Sequence, residues 1–389
     1  MADNNENKVL NVPHLRFPEF SGEWEEHTLS EYLEFKNGLN PDAKRIGSGL
    51  PFISVMDILS EGVINYDNIR GKVNATEKEI ECFGVKDGDL LFQRSSETLE
   101  DVGRANVYMD NRTAIYGGFV IRGRKIGNYD PLFFKYLLAT PLARKRTCRM
   151  GAGAQHFNIG QEGLSKISLY FPSIEEQRKI AGFLSLIDER IATQNKIIED
   201  LKKLKSAISL KMLHSDSWKQ FKIKDIASIG RGRVISSVEI SQQDNPLYPV
   251  YSSQTSNEGI MGYLDNFMFE GEYINWTTDG ANAGTVFYRD GKFNCTNVCG
   301  LLKLGDEFDT YFVSLVLAEA TKKYVSTNLA NPKLMNNTMG SIQIRLPKLK
   351  EQKRISIAFR KLRELLEVHN SLLTEYSKLK QYLLSQMFI

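Results

Sequence analysis

The sequence predicts an α+β protein with an internal pseudo-twofold repeat, in which two mixed globular segments are each followed by a long coiled-coil helix. First, LYFPSIEEQRKI at 169–180 matches IRLPKLKEQKRI at 344–355, and the match continues without a gap to Leu213 and Phe388. Second, both matched segments keep apolar residues at a 3.5-residue spacing. Third, the globular segments open alike, with WEEHTLSEYLEFKNG from Trp24 and WKQFKIKDIASIGRG from Trp218. Self-similarity of this kind indicates one structural unit present twice.

The composition is that of an ordinary globular protein. The chain has 389 residues, of which 42% are hydrophobic and 25% charged, and its net charge is +3. These values favour two or three domains and exclude disordered, collagen-like and membrane-spanning chains. No apolar run reaches the ~20 residues of a transmembrane helix, and the polar N-terminus lacks the apolar core of a signal peptide. Four scattered cysteines fit a reducing compartment, so we expect a cytoplasmic protein without membrane contact.

Each long segment predicts a helix with one apolar seam. At alternating spacings of four and three residues, eight of ten positions are apolar in both segments, and the two polar exceptions fall at equivalent places. A sustained 3.5-residue period is typical of a coiled coil. Two separate amphipathic helices are the alternative, disfavoured because both seams are narrow and in phase. Ser173 and Glu176 predict a capping box at the start of the first helix. The predicted seam consists of Ile180, Leu184, Ile187, Ile191, Gln194, Ile198, Leu201, Ile355, Phe359, Leu362, Leu366, His369, Leu373 and Tyr376.

The helices divide the chain into five parts. We predict an N-terminal segment 1–22, a globular segment 23–172, a helix 173–214, a second globular segment 215–347 and a helix 348–389. Alternating apolar runs broken by Gly, Asn and Asp predict strands and turns, whereas PLFFKYLLATPLARKR and TYFVSLVLAEATKKY predict short helices. GDLLF from Gly88 aligns faintly with GEYIN from Gly271. Because the helices have stayed alike while the globular segments have diverged, we infer one shared role for the helices and two different roles for the segments.

Two stretches free of acidic residues carry clustered cations. Neither 131–161 nor 320–350 contains Asp or Glu, and both lie just before the shared proline. Cations without neighbouring carboxylates suit phosphates, and short amides suit base edges, so the duplicated position favours nucleic acid over a solvated basic face. The candidates in these stretches are Arg144, Lys145, Arg146, Arg149, Gln155, His156 and Asn158, with Lys322, Lys323, Asn328, Asn331 and Lys333. Weaker candidates earlier in the segments are Arg94, Ser95, Arg104, Arg122, Arg124, Lys125, Arg231, Arg233, Ser253, Gln254, Thr277 and Thr278.

Signals of catalysis are missing from the sequence. It contains no G-x-x-x-x-G-K-[ST] phosphate-binding loop and no G-x-G-x-x-G motif after a strand. Cys295 and Cys299 have no partner pair at zinc-ligand spacing, and the five histidines do not cluster. We therefore predict no catalytic residue, no metal site and no cofactor in this chain.

The opening and the two helix entries resemble the specificity subunits of bacterial type I restriction-modification enzymes. PHLRFPEFSGEW, from Pro13 to Trp24, resembles the start of that family. The strand-Pro-x-x-x-Glu-Gln-x-x-Ile entry into a long helix, present twice, resembles its conserved regions. The resemblance covers the layout of the whole chain and is loose inside the globular segments.

The resemblance implies a division of labour between this chain and its partners. Each globular segment is expected to be a target-recognition domain that reads one half of a bipartite, asymmetric double-stranded DNA sequence. The two helices are expected to pack antiparallel and to fix the spacing of the half-sites. Two modification subunits carrying S-adenosylmethionine would methylate adenine, and restriction subunits using ATP and Mg²⁺ would supply the motor and the nuclease. The chain itself would be non-catalytic.

Two other classes stay open on the residues alone. A stand-alone DNA methyltransferase or nuclease would need a catalytic centre that no motif reveals, and methyl transfer by the isolated chain would identify it. An interaction scaffold without a DNA role would make the duplicated basic stretches accidental.

Overall fold

The chain folds as two compact units. A computed structural model describes residues 11–153, 155–326 and 331–389. The first unit extends to Asn195 and includes Ser371–Ile389, and the second is Lys196–Asn370. Each unit therefore contains one globular segment together with part of each long helix.

The first unit mixes short strands with short helices. The stretch 131–146, predicted to be helical, forms two helices because Thr140 is extended and caps the second one, which has Pro141 in its first turn. The strands are β1 (Glu25–Thr28), β2 (Leu33–Asn37), β3 (Ile46–Ile53), β4 (Gly71–Val73), β5 (Leu90–Gln93), β6 (Ser95–Ser96), β7 (Ala105–Val107), β8 (Ile115–Tyr116), β9 (Val120–Lys125), β10 (Phe157–Asn158) and β11 (Ser168–Phe171). The helices are α1 (Val55–Ile58), α2 (Glu77–Phe83), α3 (Pro131–Ala139), α4 (Pro141–Cys148) and α5 (Gln161–Ser165), with 3-10 turns at Leu29–Glu31 and Ala43–Arg45.

Two sheets organise the first unit. One is antiparallel with the order β2-β9-β5-β7, and it places Leu33 opposite Lys125. The other has the order β4-β3-β8 and contains a parallel pair with Phe52 opposite Ile115. The short strands β1 and β11 pair with each other, so the start and the end of the globular segment meet.

The second unit is built from the same kinds of elements. The stretch 310–324, predicted to be helical, forms a helix followed by a 3-10 turn. The strands are β12 (Lys219–Lys222), β13 (Ala227–Arg231), β14 (Tyr248–Tyr251), β15 (Ile260–Leu264), β16 (Phe269–Glu270), β17 (Tyr273–Thr277), β18 (Val286–Arg289), β19 (Lys292–Cys295), β20 (Cys299–Leu304) and β21 (Gln343–Leu346). The helices are α7 (Ile223–Ile226), α8 (Ser237–Ser241), α9 (Thr310–Ala320) and α10 (Asn336–Ser341), with 3-10 turns at Ser256–Gly259 and Thr321–Lys323.

The second unit repeats the sheet topology of the first. The antiparallel sheet β13-β20-β17-β18 corresponds to β2-β9-β5-β7, and it places Ala227 opposite Leu304 as Leu33 lies opposite Lys125. The parallel pair of β14 and β19 corresponds to that of β3 and β8, and β12 pairs with β21 as β1 pairs with β11. The duplication therefore extends from the helices to the hydrogen-bond register of the sheets.

The faint alignment of GDLLF with GEYIN is wrong by one residue. The sheets make Leu90 the counterpart of Ile274, because each lies opposite the fourth residue of the equivalent strand, β9 or β20. The sequence match had placed Leu90 on Tyr273 instead. A shift of one residue reverses the face of every side chain in a strand, so only the register settles which positions are equivalent.

The two long helices are α6 (Ile174–Met212) and α11 (Leu349–Gln386), and all fourteen predicted seam residues are buried or half-buried. In the first unit, Ile180 of α6 shares a core with Leu383 of α11. In the second unit, Ile208 of α6 packs against the core that holds Phe359 of α11. In each unit the beginning of one helix meets the end of the other, so the predicted antiparallel pairing and the α+β class are confirmed. No helix in the described ranges is long and apolar enough to cross a membrane.

The duplicated glutamine joins each helix to its globular segment. Gln177, only 3% exposed, accepts a hydrogen bond from the backbone N–H of Asp130 at 3.0 Å and donates one to the Pro172 carbonyl at 2.9 Å. Gln352, 1% exposed, makes the same two bonds with Asp309 and Pro347, at 2.9 and 2.8 Å. Asp130 and Asp309 are the N-cap residues of α3 and α9. Each glutamine therefore joins the start of its long helix to the start of a short helix and to the end of the preceding strand, β11 or β21.

The neighbouring glutamates differ between the units. Glu176 is buried and receives two hydrogen bonds from the Arg16 guanidinium, at 2.8 and 2.7 Å, so the opening segment is anchored to the start of α6. The predicted capping box is therefore only half correct. The Ser173 hydroxyl accepts from the Glu176 N–H at 3.5 Å, but the carboxylate of Glu176 binds Arg16. The equivalent Glu351 is exposed.

Candidate nucleic-acid interface

Loops from distant parts of the first globular segment meet at one end of its sheets, and we call them the first loop cluster. Leu39 forms a bridge with Gly117, and the Arg94 N–H donates to the Phe119 carbonyl at 2.8 Å. Ser95 lies opposite Asn158 in the pairing of β6 with β10. The cluster consists of residues 38–41, 54–56, 94–96, 117–119 and the described residues of 152–158.

The second globular segment has an equivalent set of loops, the second loop cluster. Arg233 forms a bridge with Thr296, and the Thr278 N–H donates to the Val298 carbonyl at 3.0 Å. Asp279 forms a bridge with Lys333, in the place of the Ser95–Asn158 pair. The cluster consists of residues 231–234, 252–254, 277–279, 296–298 and 331–333. Each unit thus presents one surface of matched backbone and different side chains.

One glycine in each cluster permits a close backbone approach. A Cβ atom on Gly38 would lie 2.1 Å from the Gly117 carbonyl oxygen, and one on Gly232 would lie 1.8 Å from the Cys295 carbonyl oxygen. Any larger residue would push the exit of β2 or β13 away from the neighbouring turn. The geometry of both clusters is therefore held by the backbone.

The predicted site residues in the first loop cluster present polar groups at its surface. Arg94 and Ser95 are half-buried, and Gln155, His156 and Asn158 are exposed. Arg94 donates from its guanidinium to the Gly118 carbonyl at 3.3 Å, and the Ser95 hydroxyl donates to the Asn158 amide oxygen. These contacts orient donors and acceptors of the kind that read base edges.

The predicted site residues of the second cluster are more highly charged. Arg231 and Arg233 are exposed, and Arg233 pairs with Glu239. The Asn331 amide donates to Asp279 at 2.5 Å, and the ammonium of Lys333 lies 3.9 Å from the same carboxylate. Ser253 and Gln254 are half-buried. Asn328 lies outside the described residues.

Thr277 and Thr278, named above as weaker candidates for DNA contact, do not expose their side chains. Both residues are buried. The Thr278 hydroxyl donates to the Val298 carbonyl at 2.9 Å, so it holds the loops of the cluster together. The structure places both residues in the second loop cluster with their side chains in the packing.

Three candidate cations lie on β9 and make contacts within the unit. Arg122 is buried and donates to the Gly84 carbonyl at 2.9 Å, and Arg124 donates to the same carbonyl at 2.6 Å. Arg124 also lies 3.1 Å from Asp89, where burial lowers the pKa of Arg124 and raises the pKa of Asp89. Lys125 is exposed but donates from Nζ to the Tyr129 carbonyl at 2.7 Å. Arg122 and Arg124 are thus held by contacts inside the unit, whereas the contact of the exposed Lys125 with DNA stays a prediction.

The first basic stretch is only partly exposed. Arg144 donates to the Glu100 and Val102 carbonyls at 2.8 and 2.6 Å, and burial lowers the pKa of Arg144. Arg146 forms an ion pair with Glu26 at 2.8 Å. The exposed cations of this stretch are Lys145 and Arg149.

The absence of acids along the sequence does not mean an absence of acids in space. Lys322 lies 2.9 Å from Glu319, which directly precedes the second stretch. Arg104, which lies outside both stretches, is 2.7 Å from Asp101. Lys323 is exposed. Arg146, Lys322 and Lys333 therefore do have carboxylate neighbours, which come from outside the two stretches, and their contact with DNA stays a prediction.

Sequence reasoning missed an apolar part of the first loop cluster. Phe119 is 67% exposed and Met56 is 71% exposed, and both border a cavity of about 410 Å³. A search for cations and amides could not have found these residues. The signal in the sequence was the position of Phe119, a bulky residue directly after Gly117-Gly118, because two consecutive glycines are typical of a tight turn.

Groups that could hold a metal were not found in the described part of the chain. No cluster of three or more His, Cys, Asp or Glu occurs there with suitable geometry. Cys295 and Cys299 are buried in the second unit, where burial raises the pKa of both thiols. Both therefore act as small core residues.

Comparison with known proteins decides which family this geometry belongs to. The family model described as the type I restriction modification DNA specificity domain matches residues 21–203 and again residues 215–376. The chain belongs to this family. It is a DNA-recognition subunit of a type I restriction-modification system.

Individual relatives agree with this specificity subunit in sequence and fold. The specificity subunit of the type I restriction enzyme MpnII from Mycoplasma pneumoniae is 42% identical over 147 residues, 36% of this chain and 44% of that protein. A second type I specificity subunit of M. pneumoniae is 36% identical over 206 residues, 51% of this chain and 85% of that protein. The S subunit of a type I restriction-modification system from M. genitalium has a crystal structure with a TM-score of 0.70 and 16% identity, over 97% of this chain and 99% of that chain.

Proposed function

We propose that this specificity subunit reads a bipartite, asymmetric double-stranded DNA target, with one loop cluster for each half-site. The observation that carries the proposal is the contrast between equivalent positions. Sheet register and loop hydrogen bonds make Arg94 the counterpart of Thr278, and Phe119 the counterpart of Val298. Two readers of different sequences need equivalent backbone positions with different side chains, because base contacts give specificity while the scaffold positions the protein on the DNA.

We further propose that the globular segments 23–172 and 215–347 are the two target-recognition domains. The helices 173–214 and 348–389 would be their common scaffold. The N-terminal segment 1–22 would precede the first domain. The hydrogen bonds of Gln177 and Gln352 support this division, since they fix each segment to its helix in the same way.

Exposed apolar residues on the long helices support docking of partner subunits. Leu365 and Val368 lie on α11 outside the predicted seam, and each is exposed. A second apolar face on a helix that is already packed indicates a protein interface. We propose that two modification subunits bind here and supply S-adenosylmethionine for adenine methylation, and that restriction subunits with ATP and Mg²⁺ join the complex. On the long helices, the exposed large apolar residues within the first unit are Leu186, Leu372, Leu379 and Tyr382, and those within the second unit are Leu204, Leu210, Ile357, Leu365 and Val368.

In this proposal the chain supplies specificity and its partners supply the chemistry. A stand-alone methyltransferase or nuclease is not favoured, because the matched loops, the family and the exposed helix faces all describe a recognition subunit. A cytoplasmic location fits the four free cysteines.

The proposal is tested by reconstitution with the modification subunit. We expect methyl transfer from S-adenosylmethionine to the target only when both proteins are present, and none by this chain alone. Replacing Leu365 and Val368 by Asp should prevent co-elution with the modification subunit, because it places charges in an apolar contact. The exposed Glu364→Ala variant is the matched control and should co-elute normally. Methylation by the isolated chain would refute the proposal.

A further inference from the structure

We infer that the first loop cluster recognises thymine through its C5-methyl group, with Phe119 and Met56 as the contacting residues. This inference rests on the proposed function and names the chemistry that one half-site must offer. It starts from the cavity of about 410 Å³, whose lining is mostly apolar and includes Leu39, Pro41, Phe52 and Val55.

The apolar residues at the mouth of this cavity are unusually exposed. Phe119 is 67%, Met56 71% and Ile46 52% accessible. Contiguous exposed apolar surface on a folded protein marks a binding site more often than chance. Covering these side chains on binding removes apolar surface from water, which favours association.

The turn that carries Phe119 is held in a fixed position. A Cβ atom on Gly118 would lie 1.8 Å from the Asn40 side-chain oxygen, so only glycine lets that amide pack across the turn. The Phe119 carbonyl accepts from the Arg94 N–H, and the Gly118 carbonyl accepts from the Arg94 guanidinium. Phe119 is therefore presented on a constrained loop and does not sit on a loose one.

The apolar mouth is continuous with the polar edge of the same cluster. Arg94 bonds to Gly118 and Phe119, and its carbonyl accepts from the Ile159 N–H directly after Asn158. A cation, amides and an apolar surface thus lie side by side. In the major groove, the thymine methyl is the apolar group that base edges offer, and Phe is one of its known contacts. This combination favours DNA over an apolar protein partner, for which the neighbouring arginine and amides would be a cost.

The second loop cluster differs at the two equivalent positions, although it exposes an apolar residue elsewhere, Val234, which is 71% accessible. The counterpart of Phe119 is the half-buried Val298, and the counterpart of Met56 is Gln254, whose amide donates to the Ile260 carbonyl. Methyl recognition through these two positions should therefore be confined to the half-site that the first unit reads.

The test uses the assembled complex of this chain with its modification subunits. Each thymine of the target is replaced, one at a time, by deoxyuridine, which lacks only the methyl group. We expect at least one replacement, in the half-site that the first unit reads, to weaken binding about fourfold, the factor for one buried methyl group. Phe119→Ala with Met56→Ala should weaken binding to the normal target on the order of tenfold and remove the sensitivity to deoxyuridine. Ile126→Ala, at an exposed apolar residue outside the cluster, is the control and should change neither.

Each remaining outcome has a defined meaning. If no thymine is sensitive, or if the Phe119 variant keeps the sensitivity, thymine recognition is refuted, while sequence-specific binding by the complex would still support the proposed function. If the variant loses binding to all DNA equally and the wild type is insensitive to deoxyuridine, Phe119 is a non-specific contact and the inference also fails. Circular dichroism of the variants separates these results from misfolding. A complex without any sequence preference would instead refute the proposed function itself.

Discussion

Gln177 in the first unit and Gln352 in the second make the same pair of buried hydrogen bonds, whereas Phe119 and Val298 at the equivalent loop positions share neither size nor exposure. The difference follows from the hydrogen-bonding requirements at each position. A buried backbone N–H and carbonyl need one particular partner, because leaving them unpaired costs free energy. An exposed loop side chain has no such requirement inside the protein. The two copies therefore share the residues that stabilise the fold and differ at the exposed positions that are available to a ligand.

The largest expected effect comes from breaking the shared anchor. Replacing Gln352 by Ala leaves the Asp309 N–H and the Pro347 carbonyl without partners in a buried site, and we expect it to lower the free energy of unfolding by about 2–4 kcal/mol. Gln177→Ala should cost a similar amount. Urea unfolding measures both, and exposed Glu351→Ala is the control, with a change of at most ~0.5 kcal/mol. Very different values for the two glutamines would show that the anchors are not equivalent.

A smaller effect should appear at the one asymmetric anchor. Arg16→Ala leaves the buried carboxylate of Glu176 without its bidentate partner, and we expect a loss of about 2–3 kcal/mol in stability. Because Glu351 is exposed, the second unit has no such dependence on an arginine. Equal stability of Arg16→Ala and the wild type in urea would mean that the opening segment contributes nothing to the first unit.

The free energy of unfolding should depend on pH through a residue of α3 in the first unit, but not through the equivalent residue of α9 in the second. Burial lowers the pKa of Lys135 to about 8 from its ordinary value of 10.5, and the charge of Lys380 lowers it further, although Asp188 lies 4.0 Å away and opposes the shift. Between these values the unfolded chain binds more protons, so stability rises with pH across this window. Lys135→Met should abolish that rise and increase stability at pH 7 by about 1–3 kcal/mol.

The counterpart of Lys135 provides the control for this measurement. Ser314 occupies the equivalent turn of α9, is buried, and donates to the Tyr311 carbonyl at 2.6 Å. Ser314→Ala should leave the pH profile of unfolding unchanged. A profile for Lys135→Met that still rises between pH 8 and 10.5, as in the wild type, would exclude Lys135 as its source.

The smallest effect concerns the exposed cations of the first basic stretch. Replacing Lys145 and Arg149 by Ala should flatten the slope of log affinity against log salt by about 1–2, since each phosphate contact contributes ~0.9. Arg146→Ala should change the slope less, because Arg146 is already paired with Glu26. An unaltered slope in the double variant would leave this stretch as a solvated surface.

Sequence alone predicted the features that depend on local periodicity. The seam from Ile180 to Tyr376 is buried or half-buried throughout, because a 3.5-residue repeat fixes one face of a helix whatever surrounds it. The opening tryptophans and the Pro…Glu-Gln entries located the two copies. The strand match at Leu90 failed by one residue, since register depends on the neighbouring strands.

The site was predicted less well than the fold. Ser95 and Asn158 were both chosen from sequence and do lie together, but nothing local showed that they would pair. Arg122 and Arg124 were chosen for their charge and are held by the Gly84 carbonyl, a partner almost forty residues away in the chain. Phe119 was missed because exposure of an apolar residue is a property of the folded loop.

The central claim is that each loop cluster specifies one half-site on a shared scaffold, and exchanging an equivalent pair tests it most directly. Ser95→Asp with Asn158→Lys places the side chains of Asp279 and Lys333 on the first cluster, and the reverse exchange places Ser and Asn on the second. Methylated adenines are then mapped across the genome of a host that carries the chain with its partner subunits. We predict that each exchange alters the sequence of one half-site only, a different one in each case, and leaves the spacer between them unchanged. Alteration of both half-sites by a single exchange, or an unchanged methylation pattern in both folded variants, would contradict the account.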